Sequence, residues 1–345
     1  PTVIESNYMS YPTVDLTSDA SHVVVFWNDS INTQYKMACA SISGTTPTFG
    51  SVVNLGGTGN KIYSSLRISD TSFFVADTSG NSYAVSRSGT TLTIGSVTSY
   101  SSVTSGQPAS LLYDSTQGDV HVGFVDSAKR ALISTVTVSG TTITPVSTDN
   151  YLGPDGGSSS NRLLISKTAD SDTFLYLFGG DYGAYDYMFY GTYTYDGSSV
   201  ANSSFGTFIG GEGQVGTFRN TGPAIHLGNN YFVTSAGGGT NQETDTSVFF
   251  TLMDGRVSEY LTVGGDLEGY IVGVSSGMSR PIRQDTNSFS VWKAGYFAGT
   301  TGSETGQEKV VAVNVTWADA NPFNWVGIAE ASVSDGATVT CTTMG

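Results

Sequence analysis

Residues 88–96 read SGTTLTIGS, and this string returns twice in related form. Residues 43–51 read SGTTPTFGS, and residues 139–147 read SGTTITPVS. A glycine between serine and threonine is typical of a tight turn joining two strands, because glycine adopts a left-handed backbone at no steric cost. The recurrence of the whole string predicts an internal repeat with a period of about 40 to 50 residues.

An apolar run stands upstream of each of these three copies. The runs are VVVFWND at residues 23–29, FFVAD at residues 73–77 and VHVGFVD at residues 120–126. Each run ends at an aspartate, whose short side chain can bond the backbone of a turn. A further apolar strand follows and leads into the Ser-Gly-Thr-Thr turn. One unit therefore contains four antiparallel strands, which is the pattern of a β-propeller blade.

Three later units follow the same order with less sequence similarity. First strands begin near residues 11, 63, 108, 160, 222 and 280. We predict an all-β fold, a β-propeller of six blades with four antiparallel strands each, over residues 1–320. Residues 321–345 either close the ring or start a small C-terminal β module. The alternative, two β-sandwich domains, explains the strand content but not the repeated order of turns.

The composition of the chain indicates which classes of binding partner are not expected. Only 12% of the 345 residues are charged, and the formal net charge is −15. A nucleic-acid-binding surface and an anionic-lipid-binding surface both need basic residues, so we expect neither partner. No apolar run is long enough to span a bilayer, and the first residues do not have the pattern of a signal peptide. We therefore expect no membrane insertion.

Residues that usually hold metals or cofactors are few and scattered. Cys39 and Cys341 match no metal motif, and both are expected to be small buried apolar residues. The histidines His22, His121 and His226 each stand singly in a strand. Neither a nucleophile elbow nor a phosphate-binding glycine loop occurs. The sequence thus predicts no metal, no cofactor and no catalytic residue.

Alignment of the six first strands produces one column of residues that is expected to face the central channel. Its members are Asp15, Arg67, Leu111, Leu164, His226 and Arg283. Four of them are ionisable, and these four are the candidate ligand-binding residues. The alternative is a wet channel lined by solvated side chains.

The two arginines of this column are similar to the carboxylate-binding arginines of sialidases, which are six-bladed propellers. Arg162 or Arg219, each near a column position in the sequence, would accompany these two arginines. Arginine suits that role because its planar fork binds a carboxylate through two hydrogen bonds. The Ser-x-Asp-x-Gly-x-x-Trp turn that repeats in sialidases is absent here. A glycan hydrolase of the sialidase or depolymerase type is therefore the less favoured alternative.

Residues 181–195 contain an unusual density of tyrosine beside acidic residues. The tyrosines are Tyr182, Tyr185, Tyr187, Tyr190, Tyr193 and Tyr195. Exposed aromatic side chains beside acids form sugar-stacking platforms or protein-contact patches. Such a patch would make the chain a carbohydrate-binding, lectin-like propeller. The alternative is a strand whose aromatic side chains pack between neighbouring blades.

Residues 325–341, WVGIAEASVSDGATVTC, resemble a segment of virion proteins of tailed phages, of the type found in marine phages. In those proteins a Trp-Ile-Gly-Ile-Ala type of string precedes Ser-Asp-Gly-Ala, often after a propeller-like array rich in Ser, Thr and Gly. The resemblance implies a structural, non-enzymatic protein of the virion surface, associated with the tail or the capsid and in contact with the host cell surface.

The same resemblance implies a set of partners and a location. The partners would be other virion proteins and a host cell-surface glycan, within a symmetric assembly or homo-oligomer. The protein would assemble in the host cytoplasm and be exposed on the extracellular particle. The resemblance assigns no site residue.

Overall fold

The computed structural model is all-β, with strands and no helix in the residues that it describes. The described residues are 9–29, 34–56, 63–102, 109–153, 163–168, 170–182 and 185–210, followed by shorter strand segments up to residue 343. Beyond residue 202 the description covers the backbone alone. The chain divides into two compact units, of which the first is Pro1–Asp155 with Tyr195–Val200 and the second is Gly156–Thr194 with Ala201–Gly345.

The first unit contains three antiparallel sheets. The first sheet consists of β1 (Met9–Leu16), β2 (His22–Asp29), β3 (Gln34–Ser43), β4 (Thr46–Phe49) and β5 (Val53–Gly56). The second consists of β6 (Tyr63–Ser69), β7 (Ser72–Asp77), β8 (Asn81–Ser88), β9 (Thr91–Ile94) and β10 (Thr98–Ser99). The third consists of β11 (Ser110–Asp114), β12 (Asp119–Val125), β13 (Ala131–Ser139) and β14 (Thr142–Tyr151).

Three more sheets follow along the chain. The fourth consists of β15 (Leu163–Lys167), β16 (Thr173–Tyr182), β17 (Tyr185–Tyr195) and β18 (Val200–Gly210). The fifth consists of β19 (Arg219–Asn220), β20 (Ile225–Gly228), β21 (Tyr231–Gly237), β22 (Thr246–Met253) and β23 (Arg256–Val263). The sixth consists of β24 (Gly277–Met278), β25 (Ile282–Asp285), β26 (Ser288–Phe297) and β27 (Gln307–Thr316).

Each of these sheets is built from consecutive strands in the order in which the chain supplies them. In the first two sheets the fourth strand is divided, because β4 and β5 both pair with β3 and β9 and β10 both pair with β8. In the fifth sheet the first strand is divided in the same way, into β19 and β20 on β21. Successive four-stranded antiparallel sheets of this kind are propeller blades. The prediction of an all-β propeller is confirmed.

The sixth sheet departs from the predicted strand order. Its first position is divided between β24 and β25, and β26 and β27 follow, so the described sheet has three strand positions. Within the described residues after β27, Gly327–Ile328 (β28) pairs with Thr342–Thr343 (β29). The boundary between the propeller and residues 321–345 stays a prediction.

The three Ser-Gly-Thr-Thr strings form the predicted turns. In each copy the serine pairs with the second threonine, as Ser43 does with Thr46, so the loop has two residues. The glycines Gly44, Gly89 and Gly140 have φ of +60°, +58° and +61°. The following threonine stays out of the positive-φ region. A positive φ at the first loop residue alone defines a type II′ hairpin, which requires glycine there.

The cores of the first unit lie between its sheets. One apolar cluster joins the first and second sheets through residues such as Phe26, Met37 and Phe73. Another joins the second and third through residues such as Phe74 and Phe124. Phe73 and Phe74 are neighbours on β7 and enter different clusters, because successive side chains of a strand point to opposite faces. The second sheet is therefore packed on both faces.

Cys39 belongs to the first of these clusters and is fully buried. Burial raises the pKa of its thiol. The prediction that Cys39 is a small buried apolar residue is confirmed, while Cys341 lies outside the described residues.

The glycine that ends the repeated string lies against the turn of the next sheet. A Cβ atom added to Gly50 would clash with the backbone carbonyl oxygen of Thr90, and one added to Gly95 would clash with that of Thr141. Thr90 and Thr141 are loop residues of the second and third Ser-Gly-Thr-Thr turns. In the third copy the equivalent position is Val146, and the turn in the following unit is Asp196-Gly197-Ser198-Ser199 instead. Glycine thus occurs where a Ser-Gly-Thr-Thr turn packs against it.

Candidate functional site

Asp15 and Arg67, the two channel candidates of the first unit, lie on neighbouring first strands. Asp15 is on β1 and Arg67 is on β6, and these strands are in contact. The hydroxyls of Thr13 and Ser65 share a hydrogen bond of 2.9 Å between the two strands. Both candidates are partly exposed. The structure therefore brings their strands together, while the channel itself stays a prediction.

Arg67 is ion-paired within its own sheet. Its Nη1 donates to Asp70 Oδ1 at 2.9 Å. Asp70 also accepts the backbone N–H of Ser18 at 2.7 Å and the Ser18 hydroxyl at 2.6 Å. These donors, the Ser18 hydroxyl foremost, hold the pKa of the Asp70 carboxyl below its ordinary value. Asp70 therefore joins the first turn of the second sheet to the first turn of the first sheet.

A second arginine, Arg87, contacts the same turn. Arg87 Nε donates to the Asp70 carbonyl at 2.7 Å, and Arg87 Nη1 donates to the Gly89 carbonyl at 2.8 Å. Two guanidinium groups thus hold the backbone and the side chain of one aspartate. This arrangement is structural, because every one of these contacts fixes a turn.

The other four members of the column are two leucines, one histidine and one arginine. Leu111 is half-buried and Leu164 is fully buried. His226 lies on β20 opposite Phe232, and Arg283 lies on β25 opposite Phe289. The side chains of His226 and Arg283 lie outside the described part of the structure. That all four ionisable residues face one channel stays a prediction, and Arg162 also lies outside the described residues.

A buried polar cluster in the third sheet was not anticipated from the sequence. Tyr195 donates its hydroxyl to Asp119 Oδ2 at 2.6 Å. The His121 ring meets the Tyr195 ring edge to face, with centroids 4.8 Å apart. Asp114 stands directly across the strand pair from Asp119. All four side chains are at most 3% exposed.

The electrostatics of this cluster follow from its burial. Loss of solvent raises the pKa of the Asp119 carboxyl, the Tyr195 hydroxyl lowers it, and the nearby Asp114 raises it again. Burial, together with the hydrogen bond to Asp119, raises the pKa of Tyr195 to about 12. Asp119 Oδ1 has no hydrogen-bond partner among the described residues. Tyr195 is therefore the donor that this carboxylate depends on.

A sequence signal for the cluster does exist. Asp119 and His121 alternate with valines in β12, so they share one face of an otherwise apolar strand. Tyr195 is 76 residues away from Asp119, and nothing local to either residue indicates that they meet. The pairing depends on how the turn after β17 lies on the third sheet.

Three of the six tyrosines proposed as a contact patch are buried. Tyr190 is 8% exposed, and Tyr193 and Tyr195 are fully buried. Tyr193 stacks on Phe174 with ring centroids 5.1 Å apart. For these three residues the alternative of internal aromatic packing holds. Tyr182, Tyr185 and Tyr187 lie at the hairpin end of β16 and β17, and their side chains lie outside the described residues.

The aspartates that end the second strands stabilise turns, as predicted. Asp77 accepts the backbone N–H groups of Ser79 at 2.7 Å and Asn81 at 3.0 Å. Asp126 accepts the backbone N–H of Arg130 at 2.8 Å and is ion-paired with the Arg130 guanidinium. The equivalent Asp29 is ion-paired with Lys36 Nζ at 2.8 Å and is fully buried. Three acidic residues at equivalent positions thus have structural partners.

Among the described residues, no group of three or more histidine, cysteine, aspartate or glutamate side chains is arranged to hold a metal ion. The described part of the chain also contains no helix that is long and apolar enough to cross a membrane.

Comparisons with known proteins find similarity only among solved structures. No family model matches the chain, and no curated protein matches it. The Nup133 β-propeller domain of Vanderwaltozyma polyspora is 12% identical, with a TM-score of 0.48, and the match covers 81% of this chain and 79% of that domain. A putative 6-phosphogluconolactonase from Bacteroides fragilis is 9% identical, with a TM-score of 0.48, and the match covers 88% and 83% of the two chains.

A second putative 6-phosphogluconolactonase, from Bacteroides uniformis, is 12% identical, with a TM-score of 0.47, and the match covers 88% and 84%. The blades of this chain are identified by the order and pairing of its own strands.

Proposed function

We propose that this chain is a non-enzymatic structural protein of the surface of a tailed-phage virion, associated with the tail or the capsid. The observation that supports a structural role is the use made of polar side chains in the first unit. Asp70, Asp119 and Asp149 each accept hydrogen bonds from residues at least 47 positions away in the sequence. A propeller held together by such contacts is a rigid support for the loops that it displays.

The virion assignment is supported by the resemblance of residues 325–341 to virion proteins of tailed phages. Few charged residues and a net charge of −15 suit a protein that stays soluble at high density on a particle. Its partners in this role are other virion proteins and, on the host, a cell-surface glycan.

The glycan hydrolase alternative requires Arg67 to bind a substrate carboxylate. Arg67 Nη1 already donates to Asp70, so a substrate would compete with that carboxylate. The lectin-like alternative requires exposed tyrosines, and three of the six are buried in the core. Of the structural, glycan hydrolase and lectin-like roles, the structural role therefore has the strongest support.

Immunogold labelling of intact particles tests the proposal. Antibodies raised against the purified chain are applied to density-purified virions of the phage whose genome encodes it, and particles of an unrelated phage serve as the control. We expect gold at one repeated position on the tail or capsid. Absence of the protein from purified particles, with the protein present in the infected-cell lysate, would contradict the proposal.

A further inference from the structure

The outer strand of a blade exposes backbone N–H and C=O groups along one edge, and such edges invite pairing with another chain. In the first three sheets this edge is broken. The outer strand of the first sheet is interrupted at residues 50–52 between β4 and β5, and that of the second at residues 95–97 between β9 and β10. β14 contains Pro145 and two register shifts against β13. Interruptions, bulges and proline are the usual protections of a sheet edge.

β18 contains neither an interruption nor a proline. It is the last strand of the fourth sheet and runs without interruption over the 11 residues Val200–Gly210. Its sequence, VANSSFGTFIG, contains neither proline nor a charged residue. The outer strand of the fifth sheet contains Arg256 and Glu259, and that of the sixth contains Glu308 and Lys309. Among the outer strands of the described sheets, β18 alone is long, continuous and uncharged.

We propose that β18 pairs antiparallel with β18 of a second copy of this chain, so that two fourth sheets become one continuous sheet across a twofold axis. In such a pairing each residue near the axis faces its own counterpart. A charged residue there would therefore face a like charge, which destabilises a cross-strand pair. The absence of charge from β18 removes this repulsion.

The net charge of −15 opposes the association of two copies of this chain. Two copies can therefore approach closely only where charged residues are missing, as in β18. A basic partner protein, in contrast, would find no acidic residue in β18 to bind. The pairing is independent of the virion role, and the purified chain is sufficient to test it.

Sedimentation equilibrium of the purified chain over a concentration series is the test. The test variant is Ser203→Lys with Ser204→Lys. Adjacent strand residues project to opposite faces, so the pair places one lysine on each face of the sheet. The matched control is Thr144→Lys, at an exposed residue of β14, the outer strand that already contains Pro145. Thermal unfolding monitored by circular dichroism checks that each variant is folded.

We expect the mass of the wild-type chain and of Thr144→Lys to double as concentration rises. The double variant should stay monomeric while it still unfolds in one cooperative thermal transition. Three outcomes would each overturn the proposal. The wild-type chain could stay monomeric, the double variant could dimerise like wild type, or the measured mass could continue to rise beyond that of a dimer. If the double variant fails to fold, the single variants Ser203→Lys and Ser204→Lys replace it, and undiminished dimerisation of both would overturn the pairing.

Discussion

At the scale of single residues, the hydroxyl of Tyr195 has a clear energetic role. It donates to Asp119, whose other oxygen has no described partner and whose side chain is buried. Tyr195→Phe would remove this donor and leave a buried carboxylate without it. We expect a loss of about 1 to 3 kcal/mol in the free energy of unfolding, measured by urea denaturation.

A double-mutant cycle isolates this hydrogen bond from other effects. Asp119→Ala removes both carboxylate oxygens and leaves the tyrosine without this acceptor. If the bond accounts for the loss, Tyr195→Phe will cost less in the Asp119→Ala background than in wild type. Additive effects of the two substitutions would show that the loss arises from packing around Tyr195.

The Asp70 carboxyl predicts a pH dependence of the contact between the first two sheets. Its pKa is lowered in the folded state, first by the Ser18 hydroxyl, so the folded chain binds fewer protons there than the unfolded chain. Its contribution to stability is therefore fully present at neutral pH. It decreases progressively as the pH falls from about 4, the ordinary pKa of aspartate, through the lower pKa of the folded state. Asp70→Asn should lower the Tm at pH 7 and have a smaller effect at pH 3.

The control for this experiment is Asp170→Asn, an exposed aspartate in the turn after β15. It should leave the Tm within error at both pH values. A Tm difference between Asp70→Asn and wild type that stays constant from pH 7 to pH 3 would mean that the Asp70 charge does not stabilise this contact.

At the scale of elements, the close contact of Gly95 with the next turn explains why the repeated string ends in glycine. A methyl group at this position would clash with the Thr141 carbonyl, a backbone atom that cannot rotate away. We expect Gly95→Ala to cost about 1 to 3 kcal/mol of unfolding free energy, as overpacking usually does. Ser96→Ala, at the exposed neighbouring position, is the matched control. Equal effects of the two substitutions on urea denaturation would exclude the clash.

At the scale of the whole molecule, the two-sided packing of the second sheet predicts where the first unit is most stable. Phe73 and Phe74 on β7 belong to different apolar clusters. β7 therefore loses its packing on both faces only when both clusters open. We expect the backbone amides of β7 to exchange hydrogen most slowly in this unit, measured by mass spectrometry. The interrupted outer strands, such as β9 and β10, should exchange faster. Faster exchange in β7 than in β9 would show that the two clusters open independently.

The sequence by itself determined the repeat, the strand order within a blade and the turns. These features are local, because a two-residue hairpin requires glycine at a defined loop position and strand residues alternate with a period of two. Thus the Ser-Gly-Thr-Thr turns and the turn aspartates Asp77 and Asp126 could be assigned from short strings of residues. The fold class followed from their recurrence.

Only the tertiary structure decided which polar side chains meet. Arg67, whose place at the channel stays a prediction, binds Asp70, which also accepts hydrogen bonds from Ser18, 52 residues away along the chain. Tyr195 was placed in a contact patch, yet it is buried against Asp119. Both outcomes depend on tertiary packing within the first unit. Contacts between residues so far apart leave no local signal in the sequence, because packing rather than spacing selects the partners.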